Sequence, residues 1–144
     1  MKKLFIVANW KSNMTESEAN SWLQRLKIKD LRLTNKEIII CPPFTVLPIL
    51  KSLIINYKSS IKLGAQNISS FEEGAYTGEV NGKQIKELAD YVIVGHSERR
   101  RNFGEDEGKI KKKLRVSLQY ILIPILCISE MNQIIIQGVG GLAL

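Results

Sequence analysis

One histidine occurs in the 144-residue chain, His96, and it stands where an apolar run ends: Tyr-Val-Ile-Val-Gly (91–95) is followed by His-Ser-Glu-Arg-Arg (96–100). Another apolar run, Leu4–Ala8, ends similarly and delivers Asn9 and Lys11, two positions apart. Alternate residues of a strand share a face, so these two side chains are expected to project together. An amide and an ammonium on the inward face of an apolar strand need a reason, because buried polar groups are costly unless paired. A cation, an amide and an imidazole form a set suited to stabilising negative charge on a small, oxygen-rich substrate.

Each of these residues also has an ordinary structural explanation. A lysine just beyond a strand is usually solvated, and a solitary histidine is more often structural than catalytic. Ser97 and Glu98 suit the cap and first turn of a helix, and Arg99 and Arg100 are placed to pair with Glu105 or Asp106. A serine hydrolase is disfavoured: "GHSE" lacks the Gly-x-Ser-x-Gly turn, and His96 adjoins Ser97 with no evident acid to orient it.

The elements that must position these groups alternate along the chain. Five apolar runs, Leu4–Ala8, Glu37–Cys41, Ile61–Ala65, Tyr91–Gly95 and Ile121–Ile128, read as strands covered on both faces, as in a parallel sheet. The last contains Pro124, which leaves its bounds open. Between the runs lie helical patterns. One is capped by Thr15 or Ser17 and carries Trp22, Leu23 and Leu26. Others span Phe44–Ile55, residues 83–89 and Glu105–Leu118. This is the grammar of repeated βα units. In a barrel of such units the active groups sit at the carboxyl ends of strands, which is where Asn9, Lys11 and His96 fall.

One connection breaks the rhythm. "NISSFEEGAYTGEVN", 67–81, is too long and polar for an ordinary turn, and unstructured loops beyond roughly 12–15 residues are usually functional or disordered. Phe71 and Tyr76 argue against disorder and for docking against something. After "CISE" (127–130) the chain gives "MNQIIIQGVGGLAL" with no helical pattern, which reads as a truncation, frameshift or deletion after about Glu130.

Composition bounds the rest. The chain is 44% hydrophobic and 24% charged, fits one domain, and has no run approaching the roughly 18 apolar residues of a membrane helix. Its first apolar run is too short for a signal peptide, so a cytoplasmic location is expected. Cys41 and Cys127 both close apolar runs and read as reduced core residues, with no metal-like spacing. The net charge of +7 is scattered. Its densest cluster, Lys109–Arg115, follows Glu105, Asp106 and Glu107 on a helical pattern, which reads as a solvated helix face and not as a nucleic-acid patch. A basic field would also attract a small phosphorylated substrate.

Taken together, "ANWKSN" (8–13), "CPPF" (41–44), "GAQN" (64–67), "GAYTGEV" (74–80), "VGHSERR" (94–100), "FGE" (103–105) and "CISE" (127–130) resemble the triosephosphate isomerase family, in the family's order and over nearly all of 4–130. The resemblance implies an α/β fold, a parallel (β/α) barrel of that type. It would be incomplete here, with about five of eight βα units: residues 1–130 hold strands one to five, and 131–144 form an atypical tail. It implies interconversion of dihydroxyacetone phosphate and D-glyceraldehyde 3-phosphate through an enediolate, with no cofactor and no metal. His96 matches the family's neutral electrophilic imidazole, kept neutral by the helix start that follows it. Lys11 matches the charge-stabilising lysine, Asn9 the substrate-orienting asparagine, and Ser97 and Glu98 supporting residues. The loop 67–81 matches the arm that joins a homodimer, with Thr77 reaching the partner's site. No membrane or nucleic-acid partner is implied.

Two departures matter. No segment resembles the family's glutamate base and lid, so the general-base Glu is absent, and Glu130 matches a different acidic position. The later phosphate loop is missing too, and "GVGG" (138–141) is only a vague likeness to the final phosphate-binding glycines. An incomplete barrel would also leave two open sheet edges. Two readings follow: an encoded isomerase present in shortened form, or a non-catalytic remnant that at most binds phosphate or a full-length subunit.

Overall fold

The computed structural model describes residues 3–26, 35–128, 136–138 and 141–143. Five parallel strands pair in chain order: β1 (Leu4–Asn9), β2 (Lys36–Cys41), β3 (Lys62–Ala65), β4 (Tyr91–Val94) and β5 (Ile123–Cys127). Between them run α1 (Glu16–Arg25), α2 (Leu47–Asn56), α3 (Gly82–Lys86), α4 (Ser97–Asn102) and α5 (Glu107–Gln119). The five strands form a curled half-barrel, the incomplete (β/α) barrel that the family resemblance implies, built from the repeated βα units that the patterns predict.

Parity within each strand decides which side chains face where. Ile39, Cys41, Tyr91, Ile93, Ile125 and Cys127 cluster on the inner face, with Phe5 and Val7 against them. The alternate residues Ile40, Leu63, Ala65, Val92 and Val94 pack outward against Leu23, Leu47, Leu50, Ile85 and Ile110 of the helices. Gly64 keeps the inner face tight: a Cβ there would sit 2.6 Å from Cys41 Sγ. β1 is the exception to burial on both faces, since Leu4 and Ile6 point outward and stay 47% and 44% exposed. At the amino ends of the strands, Glu37 of β2 accepts from the Tyr91 hydroxyl of β4 and pairs with Lys3.

Helix starts follow their caps. Thr15 and Glu18 make a reciprocal capping box on α1, Asn81 and Gln84 another on α3, and Asp106 accepts from Lys109 N at 2.7 Å on α5. Several bounds differ from the sequence reading. α2 begins at Leu47 because residues 44–46 form a turn after Pro42-Pro43. α3 closes at Lys86, not at residue 89. β5 starts at Ile123, not Ile121, because Ile121 takes φ +55 and ends α5: its N–H bonds Leu118 O, and Leu122 N–H bonds Ser117 O. That pair of bonds is a Schellman cap.

Two further expectations are corrected. The basic cluster 109–115 is not wholly a solvated face. Lys113 lies on the buried stripe with Ile110, Val116 and Ser117 and is itself buried. Nor does the sheet stop at β5. Its outer edge pairs antiparallel with β6 (Ile136–Gly138), which pairs with β7 (Gly141–Ala143), and β7 approaches β1. The β5 edge expected to be open is therefore met by the tail at Leu126 and Cys127. Ser129 and Glu130 lie outside the described residues.

Candidate active site

The carboxyl ends of β1, β2 and β4 meet at one rim. β1 ends at Asn9, so Lys11 lies past the strand, and the same-face argument for the pair does not hold. Lys11 instead takes φ +54, a conformation costly for a residue with a Cβ. Local hydrogen bonds hold it there. Its N–H donates to Asn9 Oδ1 at 3.0 Å, and its carbonyl accepts from Gln66 Nε2 at 2.9 Å. The same Gln66 amide donates to Cys41 O at 2.8 Å, and Trp10 N–H reaches that carbonyl at 3.0 Å. Trp10 in turn packs edge-on against Trp22 of α1, with centroids 5.0 Å apart. The Asn9 amide oxygen is thus engaged in shaping the Lys11 turn.

His96 caps α4 itself, where the sequence suggested Ser97 as cap, and Glu98 lies in the first turn as expected. Its Nδ1 accepts the Glu98 backbone N–H at 3.2 Å, and its ring is largely buried. An Nδ1 that accepts carries no proton, so the arrangement fits a neutral imidazole whose N–H is at Nε2. Glu98 then reaches across the rim. Its Oε1 lies 2.7 Å from Lys11 Nζ and its Oε2 lies 3.7 Å from His96 Nδ1. The hydrogen bond from Lys11 is the main reason that the Glu98 carboxyl sits below the usual carboxylate range. Lys11, Glu98 and His96 are therefore one chain of contacts on a single rim. Ser97 is the first residue of α4 and takes no part in that chain.

The 67–81 loop is tied at its neck. Ser69 N–H bonds Val80 O at 2.9 Å, Glu73 pairs with Lys83 at 2.9 Å, and Gln119 donates to Glu72 at 3.0 Å. Phe71 and Tyr76 stack on each other, 4.2 Å between centroids, and remain about two-fifths exposed. Thr77 is exposed on this loop. At its base, Asn67 Oδ1 accepts from Lys113 Nζ at 2.7 Å. Lys113 and Arg99 both donate to buried Glu105. Burial pushes the Glu105 carboxyl up, but the bonds from Lys113 and Arg99 outweigh it and hold the group below its usual range. Burial also holds the Lys113 ammonium below its ordinary value.

Gln66 and Lys113 were not singled out by sequence reasoning, and Arg100 was assigned only a carboxylate partner. Lys113 had a signal: it falls at i+3 from Ile110 and i−3 from Val116 on the apolar stripe of α5. Gln66 had a weaker one, a polar residue directly after an apolar strand. Arg99 meets Glu105 as one alternative suggested, whereas Arg100 bonds backbone carbonyls and no carboxylate. Of the glycine likeness at 138–141, residues 139 and 140 lie outside the described residues, and Gly138 and Gly141 lie away from the rim. Ile136 stands opposite Cys127 and Gln137 opposite Leu126, so Gly138 is one step further from the rim, paired with Gly141. Among the described residues no cluster of three His, Cys, Asp or Glu side chains is arranged for a metal, and no helix is long and apolar enough to cross a membrane.

Comparison with known proteins decides the family. The triosephosphate isomerase family model matches residues 4–138. This chain belongs to the triosephosphate isomerase family. It is 48% identical over 130 residues to the triosephosphate isomerase of Dehalococcoides mccartyi, covering 90% of this chain and 51% of that protein. It is 45% identical over 131 residues to that of Dictyoglomus turgidum, covering 90% and 52%. With the Nostoc punctiforme enzyme it shares 43% identity over 136 residues, covering 92% and 55%. The chain spans about half the length of the curated relatives it matches. Family membership accounts for the order of the motifs and for a rim built from the ends of the first, second and fourth strands.

Proposed function

We propose that this chain carries the electrophilic half of a triose-phosphate isomerase site. The reaction interconverts dihydroxyacetone phosphate and D-glyceraldehyde 3-phosphate: a base removes a proton from one carbon, an enediolate forms, and the proton returns to the neighbouring carbon. His96 donates from Nε2 to the oxygen that becomes negative. The Lys11 ammonium offsets the charge of substrate and enediolate, and the Asn9 amide helps orient the substrate. Glu98 holds the Lys11 ammonium in place and so also competes with an anion for its charge, while Ser97, the other supporting position that the resemblance implies, begins α4. The observation that carries this reading is the Lys11–Glu98–His96 chain of contacts, with the imidazole held as an acceptor at Nδ1.

The glutamate base of the family has no counterpart among these motifs, so the proposed groups supply charge stabilisation without it. General-base catalysis contributes about 10²–10⁴-fold, which sets the scale of what is missing. The second reading, a remnant that binds phosphate or a full-length subunit without turnover, is favoured by Glu98 itself: the carboxylate at this rim is engaged by Lys11. A coupled isomerase assay separates the two. Turnover lost in His96→Ala and in Lys11→Met supports the first reading, and none at high protein concentration supports the second.

The loop 67–81 is the proposed joint of a homodimer, with Thr77 presented to the partner. The exposed Phe71–Tyr76 stack supports it, and Phe71→Asp should shift sedimentation equilibrium toward monomer. A cytoplasmic location and a small phosphorylated sugar as the partner fit the same reading.

A further inference from the structure

The β4–β5 ladder ends at Val94 opposite Leu126, and the next residue, Gly95, turns to φ +75. Beyond the ladder, the carbonyls of Gly95 and Cys127 have no strand partner in each other. Arg100 meets both: its Nε donates to Gly95 O at 2.8 Å and its Nη2 to Cys127 O at 3.1 Å. Its backbone N–H bonds His96 O at 3.1 Å, closing the first turn of α4. Gly95 O belongs to the peptide before His96, and His96 O to the peptide after it. Arg100 therefore holds the peptide before His96 with its side chain, shares the peptide after it with the Arg99 N–H (2.9 Å to His96 O), and ties the segment to the end of β5.

We infer that Arg100 is the positioning residue of His96. It touches no substrate; it acts by keeping the His96 backbone at φ −54 and ψ 140, where Nδ1 can accept the Glu98 N–H. Rotation of either flanking peptide moves the ring off that donor and removes the preference for a proton at Nε2. A planar fork with two donors in fixed directions can span two carbonyls, whereas a lysine is a single point donor. The packing leaves no slack: a Cβ on Gly95 would lie 3.1 Å from Arg100 Nη2, 3.3 Å from Ile110 Cδ1 and 3.4 Å from Cys127 O. The inference rests on the reading of His96 as the oxyanion donor, and it concerns how that donor is kept in its working form.

Because His96 is the only histidine, its ring nitrogens can be read without ambiguity in the ¹⁵N-labelled full chain. The wild type should show the well-separated pair of ring shifts of a single Nε2–H tautomer. Arg100→Met should bring them toward coincident, averaged values, with Arg100→Lys between the two. Arg101→Gln, which removes an exposed neighbouring charge, should leave them unchanged. A folded Arg100→Met with wild-type ring shifts overturns the inference, as does an Arg101→Gln that reproduces the change. Should Arg100→Met not fold, Arg100→Lys decides by the same readout, and wild-type shifts there overturn it. Turnover is not needed for this test. A chain with no isomerase activity but an Arg100-dependent tautomer sinks the catalytic reading and leaves this one standing.

Discussion

Lys11 Nζ lies 2.7 Å from Glu98 Oε1, and through that contact the end of β1 is joined to the helix that His96 caps. Both side chains are substantially exposed, so the pair contributes little to stability. Glu98→Gln should change the unfolding free energy by less than ~1 kcal/mol in urea titration. Its effect on ligands should be larger. Freed from the carboxylate, Lys11 should bind inorganic phosphate more tightly at low salt, while Lys11→Met should lose that binding. Calorimetry that finds phosphate affinity lower in Glu98→Gln would show the carboxylate to be a support for the site and not a competitor in it. The folded carboxyl lies below its ordinary value of 4.5, so what stability it gives is present above that pH and fades as pH falls further.

Glu105 should be the costliest carboxylate to neutralise. It is buried, receives Lys113 and Arg99 at Oε1, and has at Oε2 no partner among the described residues. Glu105→Gln leaves the buried Lys113 ammonium bonded to Asn67 but without its counter-charge, for an expected loss of about 3–5 kcal/mol. The double variant Glu105→Leu/Lys113→Met should lose less than Glu105→Gln alone. Its folded carboxyl is depressed, so its contribution is complete above the unfolded value and disappears as pH falls through the folded one. Chemical denaturation at neutral and acid pH in both variants tests the assignment. Equal losses in the single and double variants would contradict it.

Cys41 and Cys127 should be inert in the native chain. Burial, with the neighbouring Cys127, pushes the Cys41 thiol up to about 12; burial pushes Cys127 up to about 11 against the pull of Arg100. Thiolate is the reactive species, so neither should label with a thiol reagent at pH 8 until the protein unfolds. Rapid labelling of either residue under native conditions contradicts the burial of the inner face.

Ile121 offers a gain in stability. It is β-branched, 77% exposed, and sits at φ +55 in the position of a Schellman cap where glycine is favoured. Ile121→Gly should raise the unfolding free energy by about 1 kcal/mol. A thermal scan showing a clear loss would mean that Ile121 packs in solution against something the free chain does not supply.

Much of this was legible in the residues. Runs apolar at nearly every position gave all five parallel strands within a few positions, since strands of a parallel sheet are covered on both faces. The start of α1 was legible as a cap at Thr15 or Ser17, since capping is local chemistry, and the structure chooses Thr15 with Glu18 as its reciprocal partner. The misplaced bounds have local causes visible only in backbone angles, as at Ile121 and Lys11, whose positive φ no propensity announces. The pairing of the tail with β5 was not anticipated for another reason. Strand pairing between β5 and β6 is a contact across chain segments, and no local signal in "IIIQGVGG" names its partner.

Sequence by itself determined the family, the alternation of strand and helix, and the kinds of groups delivered to the rim: an amide, an ammonium and an imidazole. These follow from residue type and spacing, which act locally. Tertiary structure alone decided that Glu98 links Lys11 to His96, that Gln66 holds the Lys11 turn, that Arg100 ties the peptide before His96 to the end of β5, and that Lys113 is buried. Each of those depends on where neighbouring strands place their ends in space, and hydrogen bonds that short are set by distances the order of residues does not contain.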